Sequence, residues 1–489
     1  MALSRRAARL AVLACALVLV ACATPPGALP ADRAAPPACV DAAATHVGVR
    51  DAEAAPVPGF PGLRVDRVGQ ALRARAAEDP TAFGAWLDRA ARLHAEARAA
   101  ERANLPSQAS SGGDGPVTDV TAGSARDAAC HRAWQARLQD DPEARARLLD
   151  AAQVPDRYDL RLRAVGLYPL LRWPFFVGVQ GWQRAQTEAM ARWAADPPRR
   201  MRYLPPPSSA DPAPPSATDA LGLPVIDAAH AAQLLARHAP VVDIEAGGPD
   251  DLFGAPHWGG GDAPEVDTRT PVVYARIAHA RDGHGRWLTQ LVYSLWFPSR
   301  PSRGPLDLLA GRLDGVMLRL TLAPDGRTLM LDSIHACGCY HQFLPGDGVV
   351  SRGDAPFGQE WAFVPARLPL LTPGERLVVG LTAGTHQLGQ VGTLATAPAP
   401  PSPGTHYELR DERQLRSLPL TGGGRRSLYG PDGLVPGTER GERWLFWPMG
   451  IASAGAQRQW GHHATAFVGR RHFDDPDLLA TRFQLRPAR

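Results

Sequence analysis

The chain has 489 residues, 45% of them apolar and 21% charged, which excludes wholesale disorder and points to more than one folded unit. All 53 basic residues are arginine, so chemistry that needs a lysine is excluded, including a Walker-type phosphate lysine and a pyridoxal Schiff base. Glycine and proline, 48 of each, require long irregular segments between the folded parts.

Arg5, Arg6 and Arg9 precede the apolar run Leu10 to Ala21, which is too short for a permanent membrane span and suits the core of a signal peptide. The run ends in Leu19-Val20-Ala21-Cys22, which resembles the lipobox of bacterial lipoproteins. That resemblance covers about 22 residues and implies nothing about the rest. It implies a signal peptide over 1–21, cleavage before Cys22 and a diacylglycerol on the Cys22 sulfur. The membrane is then a partner through the N-terminal lipid. Ala23 stands where the inner-membrane retention signal of that class has Asp, so the implied address is the periplasmic face of the outer membrane.

Without the signal peptide the charge falls to 50 basic against 49 acidic residues, and there is no basic run with interleaved aromatics. Nucleic acid is therefore not an expected partner. Four cysteines follow Cys22, and in an oxidising compartment the even count permits Cys39–Cys130 and Cys337–Cys339 bridges.

Residues 22–60, rich in Ala and Pro, read as a tether. A helical domain is expected over 61–201. Asp79-Pro80 is a helix start, Phe83, Leu87, Ala90 and His94 form a helical stripe, and the helix runs to about Asn104. A second helix is expected near Arg126–Gln139 and a third from Asp141-Pro142, with Leu148 and Leu149 inward. Ala164–Val179 is the most apolar stretch of the mature chain. It is read first as a buried loop and helix, and second as a surface segment that meets a membrane or partner through Trp173, Phe175 and Phe176.

Residues 202–222 read as a Pro/Ser linker, and beyond it the apolar period changes to two. Hairpins are expected at 272–277 with 287–297, and at 316–322 with 328–334. Short strands are expected at 376–381, 405–410 and 444–447, and a helix near 476–482. The fold class is α+β: an N-terminal helical domain followed by an antiparallel β-rich domain over 223–489.

Chemistry is densest in His335-Ala336-Cys337-Gly338-Cys339-Tyr340-His341. Imidazole and thiolate suit zinc or copper, but in an extended strand His335 and His341 would stand about 20 Å apart. Either Gly338 turns the segment, or some of these groups join a histidine from elsewhere, for which His462 and His463 are candidates. The same thiols also permit redox chemistry, and the whole segment could equally be structural packing. Twelve of the fifteen histidines follow residue 222. The acids between Asp243 and Asp267 lack a calcium-loop ladder and read as a solvated loop.

Three functions remain open on the residues alone. One is an envelope lipoprotein with a binding or architectural role, with envelope proteins as partners. The second is a periplasmic metal-dependent hydrolase using His335, Cys337, Cys339, His341, His462 or His463. The third is thiol-redox or copper handling on Cys337 and Cys339.

Overall fold

The computed structural model describes residues 36, 39, 48–106, 120–207, 212–353, 356–372, 374–395 and 404–486. The signal peptide, Cys22 and most of the tether lie outside them. Five helices begin the fold: α1 (Arg67–Ala71), α2 (Arg73–Glu78), α3 (Pro80–Ala103), α4 (Val120–Leu138) and α5 (Pro142–Ala151). The α3 helix starts where expected. The Asp79 carboxylate accepts from the Ala82 N–H at 2.8 Å, and Pro80 occupies a first-turn position that needs no N–H. Asp141 and Pro142 repeat the arrangement at α5.

The inward face of α3 buries Phe83, Trp86, Leu87 and Ala90 against Trp134 of α4 and Leu148 of α5. Each such side chain stabilises the unit by about 1.5–3 kcal/mol. A disulfide joins Cys39 to Cys130 of α4 across a separation of 91 residues, and a loop of that length is worth about 4 kcal/mol in the chain-entropy treatment. Gly62, at φ +85°, lies so close to the Cys130 sulfur that a Cβ would collide with it.

Two large sheets and four short two-stranded ribbons complete the described chain, and the strands numbered here are those of the two large sheets. In chain order the strands are β1 (Arg200–Leu204), β2 (Val241–Glu245), β3 (Val272–Arg281), β4 (Trp287–Arg300), β5 (Gly311–Leu322), β6 (Thr328–His335), β7 (Gln342–Pro345), β8 (Glu375–Leu381), β9 (Leu388–Ala395), β10 (Thr405–His406) and β11 (Glu408–Asp411). The larger sheet runs β7-β6-β5-β4-β3-β11 and the smaller β9-β8-β2-β1-β10. Pairing is antiparallel except at β3–β11, β2–β8 and β1–β10. Both long hairpins expected from the sequence are present.

Period two explains the stacking. Leu291, Tyr293, Leu295 and Phe297 of β4 face the smaller sheet, beside Leu318 and Leu320 of β5 and opposite Val242, Ile244 and Val379. The alternate residues Val292 and Trp296 face a second core with Tyr274, Met317 and Phe473. Because both faces of this sheet are covered, β4 reads as a nearly continuous apolar run.

Three expectations need correction. The helical domain does not extend to 201 as one unit, because α6 (Leu160–Val165) packs on the Trp447–Met449 turn and α7 (Tyr168–Ala195) packs on β9. Met190 of α7 joins the sandwich core together with Leu234 of α8 (Ala228–His238), and Trp193 lies against Gly380 and Gly389. Of the expected linker, 202–204 is strand β1, Leu221 is buried in the helical core, and 208–211 lie outside the described residues. Residues 443–446 form helix α9 (Arg443–Phe446), followed by a tight turn through Pro448, and not a strand. Pro448 cannot donate to a ladder, and Trp444 and Leu445 are exposed. The expected C-terminal helix is α10 (Leu478–Arg482).

The two parts are bolted together by polar contacts. Arg416 reaches Asp51 at 2.7 Å and Arg276 reaches Glu53 at 2.7 Å. The Tyr158 hydroxyl sits 2.9 Å from the carbonyls of Ala466 and Arg471 and accepts from the Ala466 N–H.

Candidate functional site

The His-Cys segment is a hairpin tip, not an extended strand. β6 ends at His335, the chain reverses with Gly338 at φ 91° and Tyr340 at φ 60°, and β7 departs at Gln342. The His335 N–H donates to the Cys339 carbonyl at 3.0 Å, and the Gly338 N–H donates to the His335 carbonyl at 2.7 Å. A Cβ on Gly338 would come within 2.6 Å of the Ala464 carbonyl oxygen, so glycine is required both by the turn and by close packing.

The turn shortens the segment, yet its side chains diverge. His335 enters the sandwich, 3.6 Å from Asp314. His341 faces the other way, with Nε2 2.9 Å from Asp332 and Nδ1 3.2 Å from Thr465. The segment around 462–466 does meet the hairpin tip, through Thr465 on His341 and the Ala464 carbonyl on Gly338. His462 is held by Arg157 at 3.0 Å and by the Ala52 carbonyl at 2.8 Å. His463 is buried among apolar neighbours, with its ring 6.2 Å from Phe473. Among the described residues, no group of three or more His, Cys, Asp or Glu side chains is arranged to hold a metal ion. Cys337 and Cys339 are free thiols.

Thr465, His341 and Asp332 have the connectivity of a nucleophile relay, but the electrostatics oppose that use. Arg319 already neutralises Asp332 through contacts of 2.6 and 3.0 Å. Burial pushes the His341 imidazole down to about 3, with the nearby Arg471 adding to this against the pull of Asp332. A base needs a value near the working pH, so this imidazole is a poor one at neutrality. Arg471 also donates to the Thr465 hydroxyl at 3.0 Å. The trio is a structural link between the hairpin tip and the C-terminal segment.

The open space lies at the tip, and His341 and Thr465 of this trio border it. A cleft of about 700 Å³ runs beneath α7, within the usual range for a small-molecule site. Its walls are apolar, with Leu171, Phe175 and Val179 of α7 facing Leu445, Phe446 and Ile451. Cys337, Cys339, Tyr340, Glu442, Thr465 and Arg471 supply its polar surface. Trp182 of α7 lies 5.3 Å from the Tyr340 ring and closes one side. A cavity of about 860 Å³ elsewhere is walled by prolines such as Pro214, Pro224 and Pro324, and by exposed pairs such as Arg75–Glu78.

No protein-family model, curated protein or solved structure matches the chain.

Glu442 was not singled out by the sequence, because Thr438-Glu439-Arg440-Gly441-Glu442-Arg443 reads as an ordinary surface charge run. Its carboxyl group is buried against Gly455, where a Cβ would collide with it. Burial pushes Glu442 up to about 7, against the opposing pull of Arg440 and Arg300. It is thus a cleft carboxyl poised to exchange a proton near neutrality. Glu360 also lines the cleft, and burial pushes it up too, against the pull of Arg471. Beside Glu442, Cys339 donates a hydrogen bond that holds the Cys337 thiol below its ordinary range, while the same contact, with burial, pushes Cys339 well up. The cleft therefore offers apolar walls, raised carboxyls and a thiol pair.

The Glu442 shift has a measurable consequence. A carboxyl raised in the folded state favours folding below its unfolded value of 4.5, and this advantage is lost as pH rises toward 7. Glu442→Gln removes the titration. The variant should gain on the parent progressively between pH 4.5 and 7, by about 3 kcal/mol at most, and then hold a constant lead. Urea midpoints of the two proteins across pH 4.5–8 check this, and a pH-independent difference would refute the buried-acid account.

Proposed function

We propose that the protein is a lipid-anchored protein of the periplasmic face of the outer membrane that binds an apolar molecule bearing a small polar end. The observation that supports this is the cleft beneath α7, with apolar walls and polar groups gathered at the hairpin tip. Elongated apolar ligands gain most of their affinity from such walls, and a few polar groups fix their orientation. Glu442 would accept or donate a hydrogen bond at the ligand's polar end.

Gly178 allows a direct test. It lines the cleft, and a Cβ there meets nothing within 4 Å, so a large side chain fits on α7 while filling the space. Binding of cis-parinaric acid, read by its fluorescence, should be saturable in the parent and at least about tenfold weaker in Gly178→Phe, a loss equivalent to about 1.4 kcal/mol. Equal binding by the two proteins would refute the cleft as the site. The anchor is tested separately, since Cys22→Ser should abolish lipid labelling and leave precursor or mislocalised protein in fractionation.

A second reading, thiol–disulfide exchange, is favoured by the adjacent free thiols Cys337 and Cys339 at the cleft surface. Attack of the Cys337 thiolate on a partner's disulfide, with the partner's other sulfur leaving as a thiolate, would give a mixed disulfide that Cys339 resolves. Trapping of that mixed disulfide on Cys337 in Cys339→Ser would favour this reading, and two inert thiols would remove it. The zinc and copper readings gain no support from the arrangement of His335, Cys337, Cys339, His341, His462 and His463.

A further inference from the structure

Exposed apolar side chains are not scattered over this molecule. Of fourteen large ones among the described residues, nine fall within 160–177 and 443–447. Leu160, Val165, Leu170, Val177 and Trp444 are each more than 60% exposed. The two segments form one face: Phe175 and Phe446 lie 5.3 Å apart, Gly166 sits against Pro448, and the Asp159 N–H donates to the Gly450 carbonyl. The region read first as buried therefore corresponds better to the surface alternative. A contiguous apolar face of this kind marks an interaction site.

We propose that the face built from α6, the first half of α7 and α9 docks onto the surface of a lipid bilayer that carries anionic headgroups. Charge favours this occupant. Residues 160–187 carry Arg161, Arg172 and Arg184 outside the core and no acidic residue, while Arg163 is buried against the Met449 and Gly469 carbonyls. Arg172 lies over the Trp173 ring at 4.7 Å and Arg443 over the Trp444 ring at 4.8 Å, which places cations beside amphipathic aromatics. That combination, with a helix lying along the surface, is the composition of an interfacial helix. No helix among the described residues is long and apolar enough to cross a membrane, so the contact is peripheral.

The length of the tether agrees. Cys39 stands 17 positions beyond Cys22, and that segment cannot span more than about 60 Å. The chain first joins the body at the Cys39–Cys130 bridge on α4, and further along the Ala52 carbonyl contacts His462, which contacts Arg157, three residues before α6. A short tether raises the local concentration of the face at the bilayer, so weak intrinsic affinity suffices. This part rests on the proposed acylation of Cys22, whereas the face itself does not. The same face rims the cleft through Leu171, Phe175 and Leu445, so docking would open the ligand site toward lipid.

The test uses the full chain with Cys22→Ser, so that no acyl anchor contributes. Vesicles of equal parts phosphatidylglycerol and phosphatidylcholine should co-sediment with it, more weakly at high salt. Adding Leu170→Asp and Trp444→Asp should weaken binding at least about tenfold, since both side chains are exposed and neither lines the cleft. Unchanged circular dichroism of that variant establishes that its fold is intact. Absence of vesicle binding, or equal binding by the two proteins, overturns the proposal. So does a dimer of the Cys22→Ser chain that dissociates on the two substitutions, which would assign the face to a second copy. Parinaric acid binding without vesicle binding would overturn the docking surface alone and leave the ligand site standing.

Discussion

Asp314→Ala should destabilise the protein by about 3–5 kcal/mol, as expected when one member of a buried charge cluster is removed. Asp314 is fully buried and sits between Arg440 at 2.9 Å and His386 at 2.9 Å, with His335 at 3.6 Å. Burial alone would raise its carboxyl, but Arg440 and the two imidazoles outweigh it and hold the group well below the usual range. On the far side of His386, Asp251 lies at 3.3 Å, and the imidazole stacks on Phe297 with ring centres 3.9 Å apart. The alanine leaves a buried guanidinium without its carboxylate and frees the β8–β9 turn from β5. The first unfolding midpoint in urea measures the loss, and a change below about 1 kcal/mol would show that the cluster does not hold the two sheets. The double variant Asp314→Leu/Arg440→Met should lose less than Asp314→Ala, because it strands no charge.

Acid should unfold the protein steeply between pH 6.5 and 5. Burial, as the largest cause in each case, pushes His94, His279 and His462 down to about 4, and His341 and His463 down to about 3. All five are neutral in the folded chain at pH 5.5, whereas unfolded imidazoles with values near 6.5 are mostly charged. The unfolded state therefore binds more protons, and stability is full above pH 6.5 and falls as pH drops toward the folded values. Glu442 opposes this, as do Glu360, Glu412 and Asp475, whose carboxyls burial also pushes up. The imidazoles outnumber them, so unfolding near pH 5.5 takes up several protons net and stability rises with pH there. Proton uptake on unfolding at pH 5.5, measured by potentiometry, checks the count. An uptake of one proton or fewer would mean that these imidazoles are solvated.

Local features of this fold were legible, and distant ones were not. Asp79-Pro80 and Asp141-Pro142 mark real helix starts because a cap needs only residues within one turn. The hairpins at 272–297 and 316–334 follow from alternation and turn chemistry, both local. Trp444–Trp447 was misread because four apolar residues carry no period, and helix cannot be told from strand at that length. Pro174 stands inside α7 without ending it, and the first half of that helix is exposed, which an apolar run does not reveal. The cleft escaped because Glu442 and Thr465 lie about a hundred residues or more beyond the hairpin tip in the chain, and only the packed fold brings them together. What the sequence did show was the tip itself: Gly338 turns, as it must if Cys337 and Cys339 are to face one space.

The Cys39–Cys130 bridge also decides how the protein bears load. A pull applied upstream of Cys39 passes across the bridge into α4, so force enters through the helical unit. The ion pairs that hold Asp51 to Arg416 and Glu53 to Arg276 lie inside the closed loop and stay slack. Reduction reverses the load path. Tension then reaches residues 51–53 first and peels them from the larger sheet at Arg276, one contact at a time. Under the proposed acylation of Cys22 the bridge would lie between the anchor and the sheets, and its redox state would set how far the body can be drawn from its point of attachment.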